Sequence, residues 1–305
     1  MGMAVLPRVS MQSALVGLDL SEVSDRFVKW LPFLAKAGTV RLFLAHVIPV
    51  EKLEHVAGGY PVDKLEEELR REALEKLEAY AQRLRDAGFT VEVLNPPVGD
   101  PAPTLEKLAE EHGADYIAVA SRGRGWLRSL LLGSTAEELA NIARRPVLVA
   151  KGFKKTRNHE AELVVPPDPL RGPILAAVDF GDYTDDVLAY TAYLAEKASA
   201  TVILLHVQEP SEDPEEAKKR LEDLAQRLRE RGIAVEAILA PPDKPSRQIR
   251  QTAEQKDASL IVLGPGLRRE SLVLGTTSEA VLRRTDRHVL IARLPQETQS
   301  QTPQQ

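Results

Sequence analysis

A duplication constrains this chain more than any other feature of its sequence. Asp19 in VGLDLS is matched by Asp179 in AAVDFG, and His46 in FLAHV by His206 in LLHV, each pair 160 residues apart. Further on, AQRLRDAG ending at Gly88 is matched by AQRLRERG ending at Gly232, and PVLVA ending at Ala150 by HVLIA ending at Ala292. The first copy carries extra residues within Glu51 to Glu72, around HVAGGYP from His55 to Pro61, and the second is two residues shorter inside a glycine-rich loop. A chain of 305 residues that repeats itself once is two domains of ordinary size. The boundaries read as 1–151 for the first domain, 152–172 for a Pro- and charge-rich linker, 173–295 for the second domain, and 296–305 for a polar tail expected to be disordered.

Each copy alternates short apolar runs with amphipathic stretches. The runs are Ala14 to Leu18, Val40 to Val47, Thr90 to Leu94, Tyr116 to Ala120 and Val147 to Ala150. Their counterparts are Ile174 to Val178, Thr201 to Val207, Ala234 to Leu239, Leu260 to Leu263 and Val289 to Ala292. Nearly continuous hydrophobicity, in place of alternation, marks strands covered on both faces. Between the first two strands, Phe27, Val28, Leu31, Leu34 and Ala35 share a helical face, as do Val187, Leu188, Thr191, Leu194 and Ala195, with Ser24 and Thr184 expected as N-caps. Gly88 and Gly232 are expected to end the second helices in left-handed geometry. Strands and helices in alternation demand parallel strands joined by right-handed crossovers, so each copy is predicted to be an α/β, doubly wound (Rossmann-like), five-stranded domain. The fifth strands are apolar edges that need cover, and they are expected to meet each other across a pseudo-two-fold axis, making one chain the equivalent of a dimer. A further homodimer is compatible with the same sequence.

Composition removes several function classes. The chain has no cysteine, which excludes disulfides, thiolate metal sites and cysteine nucleophiles. Its net charge of −5 offers no footprint for nucleic acid, and no run is long and apolar enough to span a membrane. With no secretory pattern at MGMAVLPRVS, a cytoplasmic location is expected.

The chemistry is carried by the turn after strand four. It reads ASRGRGWLRSLLLGST from Ala120 to Thr135 and GPGLRRESLVLGTT from Gly264 to Thr277. In an open parallel sheet, ligands sit beyond the carboxyl ends of the strands where the order reverses, between this turn and the loop after strand one. Gly123 and Gly133 let backbone approach an anion, Ser134 and Thr135 add hydroxyls at a helix N-terminus, and Asp19 stands ready to accept a hydrogen bond from a ribose or an adenine amino group. A plainer reading stands beside this one: STAE at Ser134–Glu137 and TTSE at Thr276–Glu279 both fit the capping box, which would consume the amides that a phosphate needs.

The spacing G-x2-G-x9-G-[ST] after strand four, with D-x-S-x-x-[ST] after strand one, resembles the universal stress protein family, and the resemblance covers both copies as a tandem arrangement. Copy one supplies Asp19, Ser21 and Ser24, then Ala120 in place of the first glycine, Gly123, Gly133, Ser134 and Thr135. The resemblance implies strand order 3-2-1-4-5 and a site for ATP, ADP or AMP, with Mg as a possible companion, held mainly by the first domain. By position it implies Asp19, Val47, Ala120, Gly123, Gly133, Ser134 and Thr135 as contacts, and in the second copy Asp179, Val207, Gly264, Gly275, Thr276 and Thr277. Copy two departs further from the pattern, with Leu267 in the second-glycine register, where Gly266 could compensate, and Gly181 where copy one has Ser21.

The implied role is regulatory, in a stress response, with no dedicated catalytic residue and no metal site. A slow ATPase and a scaffold with vestigial sites are the two rivals. Arg122, Arg124 and Arg128, with Arg268 and Arg269 in copy two, are candidates to neutralise phosphate. Trp126 is read as packing under its loop and His55 as a solvated loop residue. His46 and His206 are read as structural or cleft-lining, since neither has a second ligand at metal spacing. Neither a Walker motif nor G-x-G-x-x-G after strand one is present.

Overall fold

In a computed structural model of the chain, residues 5–54, 62–121, 133–152, 167–266 and 274–295 are described. The first half runs β1 (Ser13–Gly17), α1 (Glu22–Trp30), a 3₁₀ segment (Leu31–Ala37), β2 (Arg41–Ala45), β3 (Ile48–Pro49), α2 (Glu51–Glu54), α3 (Val62–Asp86), β4 (Thr90–Val93), β5 (Val98–Gly99), α4 (Pro101–Glu111), β6 (Tyr116–Ala120), α5 (Ser134–Ile142) and β7 (Val147–Ala150). The second runs β8 (Ile174–Ala177), α6 (Thr184–Ala198), β9 (Val202–Val207), α7 (Pro214–Arg229), β10 (Val235–Ala240), α8 (Pro245–Gln255), β11 (Leu260–Leu263), α9 (Thr276–Arg284) and β12 (His288–Ile291).

Among the described residues these strands form one ten-stranded sheet of order β10-β9-β8-β11-β12-β7-β6-β1-β2-β4. Each half is parallel throughout and has the order 3-2-1-4-5. The halves join where β12 lies antiparallel to β7, with Val289 opposite Val149 and Ile291 opposite Val147. Both of these strands are buried along their full length, and the apolar layers on the two faces of the sheet run unbroken across the seam. The outer edges, β4 and β10, are half exposed and carry Glu92 and Glu236, charges that discourage pairing with another sheet. The small parallel pair β3–β5 lies outside the main sheet and has no signature in the sequence pattern.

Gly88 and Gly232 take φ of +97° and +79° just beyond α3 and α7, where a left-handed residue ends the helix. The first helical stretch differs from expectation. Pro32 opens a 3₁₀ segment, and its three-residue turn buries Leu31, Leu34 and Ala37 while Ala35 is exposed. Its equivalent α6 stays α-helical and buries Val187, Leu188, Thr191, Leu194 and Ala195 as one face. The caps also differ. Ser21, not Ser24, caps α1 by accepting from the Val23 amide, and Thr184 is the first residue of α6, preceded by Tyr183 without a side-chain cap.

The predicted linker is only partly a connector. Residues 153–166 lie outside the described set, but Pro167 is fastened into the body: its carbonyl accepts from Trp30 Nε1 at 3.0 Å and His288 Nε2 at 2.9 Å. Asp168 is buried and pairs with Lys36.

Candidate functional site

The two glycine-rich turns are closed at the neck by the same bond. Gly133 donates its amide to Ser121 at 2.7 Å in the first copy, and Gly275 donates to Pro265 at 2.5 Å in the second. Each turn then enters its helix through the glycine itself: Gly133 and Gly275 are the N-cap residues, extended at φ −66° and −65°, and neither helix has a side-chain cap bond. The capping-box reading therefore does not hold. Ser134 and Thr276 sit one residue inside their helices, and the carboxylates that would complete the box are engaged elsewhere, Glu137 and Glu279 both pairing with Arg283. Among the described residues, no side chain occupies the first-turn amides of α5 or α9. A helix mouth in that state carries partial positive charge and unpaired donors.

In the second domain this mouth opens into a cleft of about 260 Å³. Asp179, Val207, Gly264, Gly275, Thr276 and Thr277, all six positions expected in this copy, line it together. Its floor is apolar, built by Leu205, Ile249 and Leu263, and Tyr183 forms a wall. Gly264 is required there: a Cβ would lie 2.8 Å from the Tyr183 Cβ. The Asp179 carboxylate is exposed, and its one described hydrogen bond is the Gly181 amide at 2.9 Å. Thr184 Oγ1, also on the lining, is buried without a hydrogen-bond partner among the described residues.

The first domain holds its acid more tightly. Asp19 Oδ1 accepts from Ser21 Oγ at 2.7 Å, Ser24 Oγ at 2.7 Å and the Ser21 amide at 3.1 Å. Its Oδ2 is buried and lacks a partner among the described residues, so one acceptor remains for a donor from outside. Val47 is buried, Ala120 ends β6, and Gly133, Ser134 and Thr135 form the α5 mouth. Gly123, the arginines 122, 124, 128, 268 and 269, Trp126, His55 and Leu267 lie outside the described residues.

Both strand-end histidines work as fasteners. His46 Nδ1 donates to the Leu18 carbonyl at 2.7 Å and His206 Nδ1 to the Val178 carbonyl at 2.8 Å, each tying β2 or β9 to the loop that carries the acid. His206 has in addition a carboxylate partner that sequence spacing did not reveal, Glu212 at 2.8 Å from Nε2. Burial pushes the Glu212 pKa up, but hydrogen bonds from His206 and the Glu209 amide, with the charges of His206 and Arg220, outweigh it and hold the carboxyl below its usual range. Tyr183, Thr184 and Glu209 are cleft residues beyond the expected set, and His206 is on the lining as one of its two readings had it. The 160-residue offset already pairs Thr184 with Ser24 and so gave a signal for it; Glu209 had none.

The universal stress protein family profile matches residues 11–151 and again residues 171–293. The chain belongs to the universal stress protein family. A universal stress protein of Mycobacterium tuberculosis is 26% identical over 296 residues, covering 91% of this chain and 96% of its own length. The crystal structure of a universal stress protein from Archaeoglobus fulgidus covers 93% of this chain and 98% of that one at 26% identity, with a TM-score of 0.72. A structure of the Archaeoglobus fulgidus universal stress protein in complex with dAMP matches 41% of this chain and 99% of that one at 25% identity, TM-score 0.35. Among the described residues of this universal stress protein, no helix is long and apolar enough to cross a membrane.

Proposed function

We propose that this universal stress protein binds an adenine nucleotide, ATP, ADP or AMP, and acts as a regulatory protein of the cytoplasm whose conformation or partner choice follows occupancy. The observation that carries the reading is the second-domain cleft, in which an uncapped helix mouth, threonine hydroxyls and a solvent-facing carboxylate converge over an apolar floor. The parts divide by chemistry. First-turn amides of α9 with Thr276 and Thr277 take phosphate oxygens, the glycines 264, 266 and 275 leave room for them, the floor takes the base, and Asp179 accepts from its donors. Mg²⁺, where present, accompanies the polyphosphate. The first domain offers the same parts in Asp19, Val47, Ala120, Gly133, Ser134 and Thr135, with the orphan Oδ2 of Asp19 as its acceptor. The antiparallel β7–β12 pairing supports a chain that acts as its own pseudo-dimer.

Titration calorimetry of the full chain with ATP, ADP and AMP tests the reading. Binding heat is expected, with Asp179→Ala and Asp19→Ala each weakening one class of site. Absence of heat with all three at millimolar concentration would leave the scaffold alternative standing instead.

A further inference from the structure

Helices α5 and α9 run past one another in opposite directions at the seam, so the last turn of each lies beside the start of the other. Asn141, in the last turn of α5, accepts the Leu274 amide just ahead of α9. Its counterpart in the last turn of α9 is Arg283, and that side chain reaches the first turn of α5.

Arg283 holds one carboxylate from each helix. Its Nε meets Glu279 Oε1 at 2.9 Å, and its Nη2 donates to Glu137 Oε1. Both acids lie in the first turns of their helices, next to the amides that offer themselves to an anion. Each is also the glutamate of a capping-box sequence, STAE or TTSE, and could complete that box only by folding back over the amide three residues earlier. An acid so placed would hinder a phosphate twice, by occupying a donor and by repelling its charge. Neither acid does so: both helices lack a side-chain cap bond, and both carboxylates are turned to the same guanidinium. One cation therefore serves two acids, since Asn141 brings no second charge.

We propose that Arg283 is a positioning residue for both anion sites, holding Glu137 and Glu279 off the helix mouths so that each mouth can receive a phosphate group. Its place in the second domain does not confine it to that domain's site, because the α5 mouth depends on it as well. The inference rests on the nucleotide-binding reading above and adds a residue that serves two sites without touching either ligand. Ion pairs between solvent-accessible side chains add little to stability, so substituting Arg283 is expected to leave the fold in place.

Titration calorimetry of the full chain with AMP and with ATP, in the absence of Mg²⁺, tests the proposal. Two backgrounds separate the sites: Asp179→Ala leaves the first dominant, and Asp19→Ala the second. Adding Arg283→Gln is expected to weaken both sites, about threefold for AMP and about tenfold for ATP, because the repulsion scales with phosphate charge. The loss should shrink in high salt. A further Glu137→Ala should restore the first site alone, and Glu279→Ala the second alone. A loss seen in only one background overturns the sharing. Equal losses for AMP and ATP, or no recovery on removing the acids, would mark Arg283 as merely structural and overturn the proposal. Unchanged affinity in both backgrounds does the same while sparing the nucleotide reading. Absence of heat with either nucleotide in the parent chain overturns that reading, and the proposal with it.

Discussion

Lys151 and Arg293 occupy the same position in the two halves, and each reaches across the seam into the last turn of the other half's helix. Arg293 donates to the carbonyls of Ala140, Asn141 and Ala143 at the end of α5, and Lys151 Nζ donates to Leu282 in α9. Both cations are buried, and both sit where the helix dipole is negative. Arg293→Met removes the guanidinium from three carbonyls at once and is expected to cost about 3 kcal/mol, with Lys151→Met costing less. Urea unfolding of the full chain reads the difference; near-neutral Arg293→Met would mean that the seam does not depend on these caps.

A second relationship across the seam bears on the site. Asn141 Oδ1 in α5 accepts the Leu274 amide at 2.9 Å, immediately before Gly275 at the mouth of α9. Asn141→Ala, a change in the first domain, is expected to loosen the second-domain turn and weaken nucleotide binding there about three- to tenfold, the worth of one hydrogen bond of about 1 kcal/mol. Calorimetry comparing this variant with Asp179→Ala checks it. Unchanged affinity would make Asn141 a spectator.

Acid should destabilise the protein through His288. Its Nε2–H donates to Pro167 and its Nδ1 accepts the Lys151 amide at 3.1 Å, which fixes the neutral ring, and burial lowers its pKa from 6.5 to about 4. The unfolded chain therefore takes up this proton first. The stabilisation is complete above pH 6.5 and is lost as pH falls from 6.5 towards 4, by about 3 kcal/mol at most. Unfolding free energies measured across that window should fall by about 1.4 kcal/mol per pH unit near its centre from this group. In His288→Gln, that one-proton share of the slope should disappear.

Gly264→Ala should damage the second cleft from within. The added methyl meets the Tyr183 Cβ at 2.8 Å, and a shift of wall or turn costs about 1–3 kcal/mol. The reverse change in the first half, Ala120→Gly, should cost only the backbone entropy of a glycine in a strand, under about 1 kcal/mol. Thermal unfolding of the two single variants separates them, and equal losses would contradict the packing argument.

These contrasts mark what a sequence can carry. Strand positions were legible because a buried parallel strand must be apolar along its length, and the order 3-2-1-4-5 followed from the family resemblance. Ser24 and Thr184 were misread because a hydroxyl near a helix start looks like a cap, whereas Ser24 in fact turns back to Asp19, a tertiary choice. Likewise STAE and TTSE fit a local rule, but Glu279 takes the i,i+4 partner Arg283 on its own helix, and Glu137 is drawn to the same Arg283, 146 residues away in sequence. Local periodicity has no way to encode such a partner. Residues 122–132 of the first-domain turn and 267–273 of the second are the parts of the expected site that lie outside the described residues.

The antiparallel contact of β7 and β12 frees this protein from a rule that binds assemblies of identical subunits. In a self-paired dimer every residue on the axis must work against its own copy, so a mutation appears twice and must succeed twice. Covalent fusion lifts that condition, and the result is visible in a lysine opposing an arginine, an asparagine standing where the other half has Arg283, and a histidine where it has Pro146. Each half can change its residues without the change being repeated in the other.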